Sequence, residues 1–93
     1  MPIGGGGLCS GTLVATSRFS PHTKVIGVEP FLARDAKESI EKGTIQSQYP
    51  PLTLAEGVRT CIGDVTFSFL KSMLNDVILV EENEMIEASR LFL

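Results

Sequence analysis

The sequence predicts an α/β fold, and more narrowly a fragment of a doubly wound, mostly parallel sheet with flanking helices. Three observations lead to this prediction. Stretches typical of helices alternate with stretches typical of buried strands, which is the pattern of parallel α/β folds. Apolar residues make up 43% and charged residues 20% of the 93 residues, enough for a packed core. The strands, however, are too few for a complete parallel sheet, which needs helices on both faces.

The first half of the chain predicts a strand stub, a helix, a strand and a second helix. Residues 1–3 form the stub before a run of glycines, and the apolar positions within residues 8–19 favour a short helix that stops before the turn around Pro21. The β-branched run of residues 24–30 closes with a proline and predicts a buried strand. Residues 33–43 carry acids early, lysine late and a final glycine, an order typical of a helix.

The second half repeats the alternation after an irregular connection. Residues 44–64 are predicted to be irregular because consecutive prolines within them exclude a continuous helix. Asp64 is a candidate cap for a helix over residues 65–75, residues 76–80 predict another buried strand, and early acids favour a last helix within residues 81–93. We expect the acidic side chains of that helix to form one solvated face: Glu81, Glu82, Glu84 and Glu87.

Both ends of the sequence fall within predicted elements, the strand stub and the final Leu-Phe-Leu. We therefore expect residues 1–93 to be a partial domain, truncated at both ends. At roughly 1.5 kcal/mol of conformational entropy per ordered residue, such a piece would be only marginally stable alone.

Composition and charge exclude several classes of protein. The net charge is −3 and lysines and arginines do not cluster, so we expect no nucleic-acid partner. A run of about 18 apolar residues is missing, and so is a signal peptide pattern, so we expect no membrane association. Cys9 and Cys61 lack CxxC spacing, and we interpret them as reduced thiols in a cytoplasmic protein.

The glycine run Gly4–Gly7 lies between the strand stub and a helix, or else belongs to a disordered tail. Successive backbone N–H groups at a helix N-terminus form an anion site, and phosphate is its commonest ligand. A nucleoside triphosphate loop is excluded because no Gly-Lys-Ser/Thr follows. A dinucleotide stays open, from Gly5, Gly7 and Gly11 with Glu29 at the end of the next strand. A monophosphate cofactor such as pyridoxal phosphate also stays open.

Several stretches, taken in order, resemble one family: GGGGL, KVIGVEP, YPPLTLAEGV, IGDVTF and LNDVILVEENEMIEA. They are similar to the serine racemase and serine/threonine dehydratase family, which are pyridoxal-phosphate enzymes of the second fold type. The YPPLTLAEGV stretch is similar to the eukaryotic-type serine racemases. The resemblance covers nearly the whole chain, and it implies that residues 1–93 are part of the large, cofactor-binding domain of such an enzyme.

The resemblance also implies roles for particular residues. The loop that holds the phosphate of pyridoxal 5′-phosphate through its N–H groups is matched by Gly4, Gly5, Gly6, Gly7 and Leu8. Gly57 matches a glycine beside the pyridine ring. A divalent-cation site of the racemase branch is matched by Glu29, Ala33 and Asp35, and their two carboxylates and backbone carbonyl suit Mg²⁺ or Ca²⁺.

None of residues 1–93 matches a catalytic residue of the family. Family members bind the cofactor through a lysine that precedes the glycine loop, and the racemases add a serine from the same earlier segment. The lysines at positions 24, 37, 42 and 71 match no such position. We therefore assign no catalytic residue and expect these 93 residues to be inactive alone. The resemblance implies that the longer enzyme to which these residues would belong is a homodimer. That enzyme would remove the α-proton of its amino-acid substrate and racemise serine, or deaminate serine or threonine.

Two alternatives stay open beside this interpretation. The chain could be a catalytically inert, truncated interaction module, which its cut ends and apolar Leu-Phe-Leu terminus would suit. It could also be a dinucleotide-binding half-domain.

Overall fold

The computed structural model describes residues 1–46, 53–55 and 61–92. These residues form α1 (Gly7–Phe19), β1 (Ile26–Pro30), a 3-10 turn (Phe31–Ala33), α2 (Asp35–Lys42), α3 (Asp64–Met73), β2 (Asp76–Val80) and α4 (Glu82–Arg90). The α/β alternation predicted from the sequence is therefore confirmed.

The two strands pair in parallel, with a register that runs from Ile26 opposite Asp76 to Pro30 opposite Val80. Pro2 forms an isolated parallel bridge with Val28, so the predicted strand stub lies beside the other edge of β1. The carboxyl ends of all three segments therefore meet at one edge of the sheet, the edge at which ligands bind in open α/β sheets.

The core lies on one face of the sheet, under α1 and α3. Its buried members are Ile3, Cys9, Leu13, Val25, Ala36, Ile62, Leu70 and Val77. A Cβ on Gly27 of β1 would lie 2.6 Å from Cδ1 of Ile3, so the strand stub can approach only a glycine at that position.

The opposite face of the sheet is only partly covered. Val28, Pro30 and Val80 line an apolar groove of about 290 Å³ together with Met85 and Ala88 of α4. Ile78 of β2 is 51% exposed. The prediction of two buried strands therefore holds for one face and not for the other.

Two predicted helix boundaries differ from the structure. Asp64 is the first residue of α3 and does not cap it; Gly63 precedes the helix, and the hydroxyl of Thr66 accepts the Gly63 N–H over 3.2 Å. The helix predicted from residue 33 starts at Asp35, because residues Phe31–Ala33 form the 3-10 turn. None of the helices in the described ranges has the length and apolar character needed to cross a membrane.

Candidate functional site

The glycine run forms a tight turn between the strand stub and α1. Gly4 and Gly6 have φ angles of 55° and 93°, values that residues with side chains rarely adopt. The N–H of Gly6 donates to the carbonyl of Ile3 over 2.9 Å, and α1 begins at the next residue. The glycines thus belong to the folded structure, which argues against the disordered-tail alternative.

The first turn of α1 presents backbone N–H groups to the surface. A helix leaves its first N–H groups without intrahelical partners, and no side chain within the described part of the chain caps this end of α1. The N–H of Gly6 donates to the carbonyl of Ile3, whereas Gly7 and Leu8 are exposed. A methyl group on Gly7 would meet no described atom within 4 Å, so the described residues do not crowd that side of the first turn.

These features fit the phosphate group of a cofactor. The positive end of the helix dipole lies at this terminus and favours an anion there. The absence of side chains at positions 4–7 lets an anion reach the backbone. The structure thus brings together Gly4, Gly5, Gly6, Gly7 and Leu8, in an arrangement that could hold a phosphate.

Glu29 and Asp35 are buried acids that link separate segments. Glu29, in β1, is 1% exposed, and its two carboxylate oxygens accept the N–H groups of Ala36 over 3.1 Å and of Lys37 over 2.9 Å. Asp35 accepts the N–H of Ile62 over 2.7 Å. The residue before α2 provides no side-chain cap. Glu29 of β1 takes this role, because its carboxylate accepts N–H groups of the first turn of α2.

Burial raises the pKa of both carboxyl groups. The pKa of Glu29 rises to about 7, because loss of water outweighs the two N–H groups it accepts, and the charge of Asp35 adds to the increase. The pKa of Asp35 also rises through burial, against the opposing hydrogen bond from Ile62. A bound cation would stabilise the charged forms of both groups.

Ala33 lies between the two acids, in the 3-10 turn, and is buried. Each oxygen of Glu29 retains a lone pair beyond the N–H it accepts. Among the residues the structure describes, no three His, Cys, Asp or Glu side chains cluster, so a cation here would also need backbone oxygen and water. Oxygen donors of this kind fit Mg²⁺ or Ca²⁺.

Gly57, predicted to lie beside the pyridine ring, falls outside the described residues. The nearby residues 53–55 are described, and Glu82 of α4 holds them. Thr53 donates its hydroxyl hydrogen to Glu82 Oε2 over 3.0 Å, and the N–H of Leu54 donates to Glu82 Oε1 over 2.6 Å. The expectation that Glu82 lies on a solvated face is therefore wrong, because its carboxylate accepts two hydrogen bonds from this segment.

No feature of the sequence marks Glu82 or Thr66 for a role at the site. The hydroxyl of Thr66 donates to the carbonyl of Gly5 over 2.6 Å, across 61 positions of the chain. The sequence around a threonine near the start of a helix does not indicate whether its hydroxyl bonds to a distant segment or to a nearby backbone group.

The chain belongs to the family of pyridoxal-phosphate dependent enzymes, whose family model matches residues 1–93. Within that family it is 37% identical to the serine racemase of Schizosaccharomyces pombe over 91 residues, which are 97% of this chain and 28% of that protein. It is also 37% identical to L-threo-3-hydroxyaspartate ammonia-lyase of Pseudomonas sp over 92 residues, 98% of this chain and 29% of the relative. The family resemblance expected from the sequence is thereby confirmed.

Solved structures agree with this assignment. The T.th. threonine deaminase superposes with a TM-score of 0.91 at 46% identity, covering 97% of this chain and 34% of the other. Maize serine racemase superposes with a TM-score of 0.92 at 32% identity, covering 97% and 28%. The chain thus spans under a third of the length of the curated relatives it matches.

Proposed function

We propose that this chain is the phosphate-binding part of a pyridoxal-phosphate dependent enzyme that racemises serine or deaminates serine or threonine. The observation that carries the proposal is the open N-terminus of α1 behind the glycine turn, in a chain of this family. The relatives support the substrate class. Serine, threonine and 3-hydroxyaspartate are all amino acids with a β-hydroxyl group.

The cofactor, when bound, supplies an electron sink that makes the α-proton of an amino acid acidic. In this reaction, the described residues would bind the cofactor and orient it. The N–H groups of Gly7 and Leu8 would hold the phosphate, and the glycines before them would keep side chains out of its way. We assign no proton transfer to the described residues, and we propose that residues 1–93 belong to a larger cofactor-binding domain.

The dinucleotide alternative requires an accessible acid near the end of the strand that follows α1, to bind a ribose. Glu29 holds that position, but it is 1% exposed and both its oxygens accept N–H groups of α2. This geometry favours pyridoxal phosphate over a dinucleotide.

The protein purified at its natural length tests the proposal. Titration with pyridoxal phosphate and, separately, with NAD is followed by ligand absorbance and protein fluorescence. Serine and threonine are then supplied, and chiral chromatography and keto-acid detection follow the products. We expect selective binding of pyridoxal phosphate and either D-serine or a keto acid with ammonia. Selective NAD binding, or cofactor binding without any conversion of either amino acid, would contradict the proposal.

We also propose a divalent-cation site at Glu29, Ala33 and Asp35, supported by the burial of both acids and by their oxygen donors. We expect Mg²⁺ or Ca²⁺ at about 100 times its dissociation constant to stabilise the folded protein by about 2.7 kcal/mol. Asp35→Asn should abolish the cation-dependent rise of the thermal midpoint. The matched control is Glu41→Gln, because Glu41 is an exposed acid of the same helix. An equal cation response in both variants would place the cation elsewhere.

A further inference from the structure

The side chain of Thr66, in α3, forms a hydrogen bond with the peptide unit between Gly5 and Gly6 in the glycine turn. Its hydroxyl oxygen lies 2.6 Å from the carbonyl oxygen of Gly5 and 3.1 Å from that of Gly63. A hydroxyl has one hydrogen to donate, and the shorter contact assigns it to Gly5. The same hydroxyl accepts the N–H of Gly63 over 3.2 Å.

The peptide unit between Gly5 and Gly6 is therefore held at both ends. Its carbonyl accepts the hydroxyl of Thr66 over 2.6 Å and, more weakly, the N–H of Gly63 over 3.4 Å, and its own N–H donates to Ile3 over 2.9 Å. A peptide unit is planar, so two such hydrogen bonds fix its orientation. Gly7 and Leu8 come next in the chain after this peptide unit. The directions of their N–H groups therefore depend on the orientation of the Gly5–Gly6 peptide plane.

Steric contact acts on the same peptide. A Cβ built on Gly6 would lie 2.8 Å from Cβ of Thr66 and 2.9 Å from its hydroxyl oxygen. The turn is thus packed against Thr66 and has no room to move toward α3. The hydroxyl of Thr66 donates its one hydrogen to Gly5, so it has none left to donate to a ligand in front of α1.

We propose that Thr66 is a positioning residue of the phosphate site, which acts through the carbonyl of Gly5 and does not touch the ligand. The proposal rests on the function proposed above, in which the start of α1 binds the cofactor phosphate. Its specific consequence is that Thr66 contributes to the affinity for the phosphorylated cofactor and not to the affinity for its phosphate-free form.

The test compares pyridoxal phosphate with pyridoxal, because any covalent attachment to a lysine is common to both ligands. Affinities are measured by protein fluorescence on the protein at its natural length, for Thr66→Val and Thr66→Ser. Thr66→Val keeps the side-chain volume and removes both hydrogen bonds of the hydroxyl, of which the donated one reaches Gly5 in the glycine turn. Thr66→Ser keeps the hydroxyl. The matched control is Ser72→Ala, since the hydroxyl of Ser72 on the same helix donates to carbonyls of α3 itself, those of Ser68 and Phe69.

We expect Thr66→Val to weaken binding of pyridoxal phosphate by about three- to tenfold, the effect of one hydrogen bond, and to change pyridoxal affinity less than about twofold. Thr66→Ser should bind like the unchanged protein. An equal loss for both ligands, or no recovery in Thr66→Ser, would overturn the role of Thr66. If the unchanged protein does not prefer pyridoxal phosphate to pyridoxal, the phosphate site itself is wrong, which is a separate outcome.

Discussion

Gly6 is required at its position for two independent reasons. Its φ of 93° lies in the left-handed region, and a Cβ there would meet the side chain of Thr66 at 2.8 Å. Gly11 offers a contrast, since it lies within α1 and a Cβ there would meet no atom of the described residues within 4 Å. Only the first of these glycines is needed by the fold.

We therefore expect Gly6→Ala to lower the free energy of unfolding by about 2–4 kcal/mol, the sum of backbone strain and overpacking. Gly11→Ala is the matched control and should raise it by about 0.5–1 kcal/mol, because glycine in a helix interior is destabilising relative to alanine. Urea unfolding followed by circular dichroism measures both. Equal effects of the two substitutions would contradict the assigned geometry of the turn.

The buried carboxyl group of Glu29 makes stability depend on pH. Its pKa rises from 4.5 to about 7 in the folded protein, because burial disfavours the charged form. The folded state therefore binds this proton more tightly than the unfolded state does. Its contribution to stability is present below about pH 4.5 and is lost as the pH rises through about 7.

We expect the unchanged protein to lose stability relative to Glu29→Gln between about pH 4.5 and pH 7, when cations are removed by a chelator. Glu29→Gln no longer titrates at this position and keeps a similar volume. Thermal unfolding at several pH values, with Glu41→Gln as the exposed control, gives the difference. A constant difference across this range would show that the Glu29 carboxyl group has the same pKa folded and unfolded.

At the scale of elements, two carboxylates connect helices to distant segments. Glu29 of β1 caps the start of α2, which has no cap of its own. Glu82, in the first turn of α4, holds Thr53 and Leu54. Glu29 accepts two backbone N–H groups, whereas Glu82 accepts one backbone N–H and one hydroxyl. Glu29 also lies at the favourable end of the helix dipole of α2.

We expect Glu82→Ala to release the segment of residues 53–55. Hydrogen exchange of the Leu54 amide should become faster by about tenfold or more, because that N–H loses an acceptor that is charged. Glu87→Ala is the control, since Glu87 is an exposed acid of the same helix. If the Leu54 amide exchanges at the same rate in Glu82→Ala as in the control, the contact with Glu82 does not hold the segment in solution.

At the scale of the whole molecule, large apolar side chains lie at the surface of this chain. Those more than 60% exposed are Leu8, Phe19, Leu54, Val65, Leu91 and Phe92. The groove beside Val28 and Val80 adds to this apolar surface. An exposed apolar patch usually marks a surface that another protein segment or partner covers, and the relatives are over three times as long. We infer that further sequence of the natural protein covers these faces.

We expect residues 1–93, produced alone, to bind a hydrophobic dye such as ANS and to self-associate in size-exclusion chromatography. The protein at its natural length should show neither property under the same conditions. Phe19→Ser together with Phe92→Ser should reduce dye binding by the isolated segment, because both side chains are exposed. A monomeric isolated segment that does not bind the dye would contradict this interpretation.

The sequence alone determined the order of the elements, the glycine turn and the family. Alternation of apolar runs, acids at helix starts and glycine at the end of α2 are local features, so the positions of β2 and of most helices could be predicted to within a few residues. The candidate phosphate loop was also predictable, since its glycines and the helix that follows them are contiguous in the chain.

The tertiary structure alone decided which distant groups meet. The cap of α2 by Glu29, the contact of Thr66 with Gly5 and the contact of Glu82 with Leu54 join residues that are 7, 61 and 28 positions apart. Asp64 was expected to cap α3 but lies inside it, because Thr66 satisfies the backbone there. Such pairings depend on how helices pack on the sheet, which the pattern of any single segment does not contain.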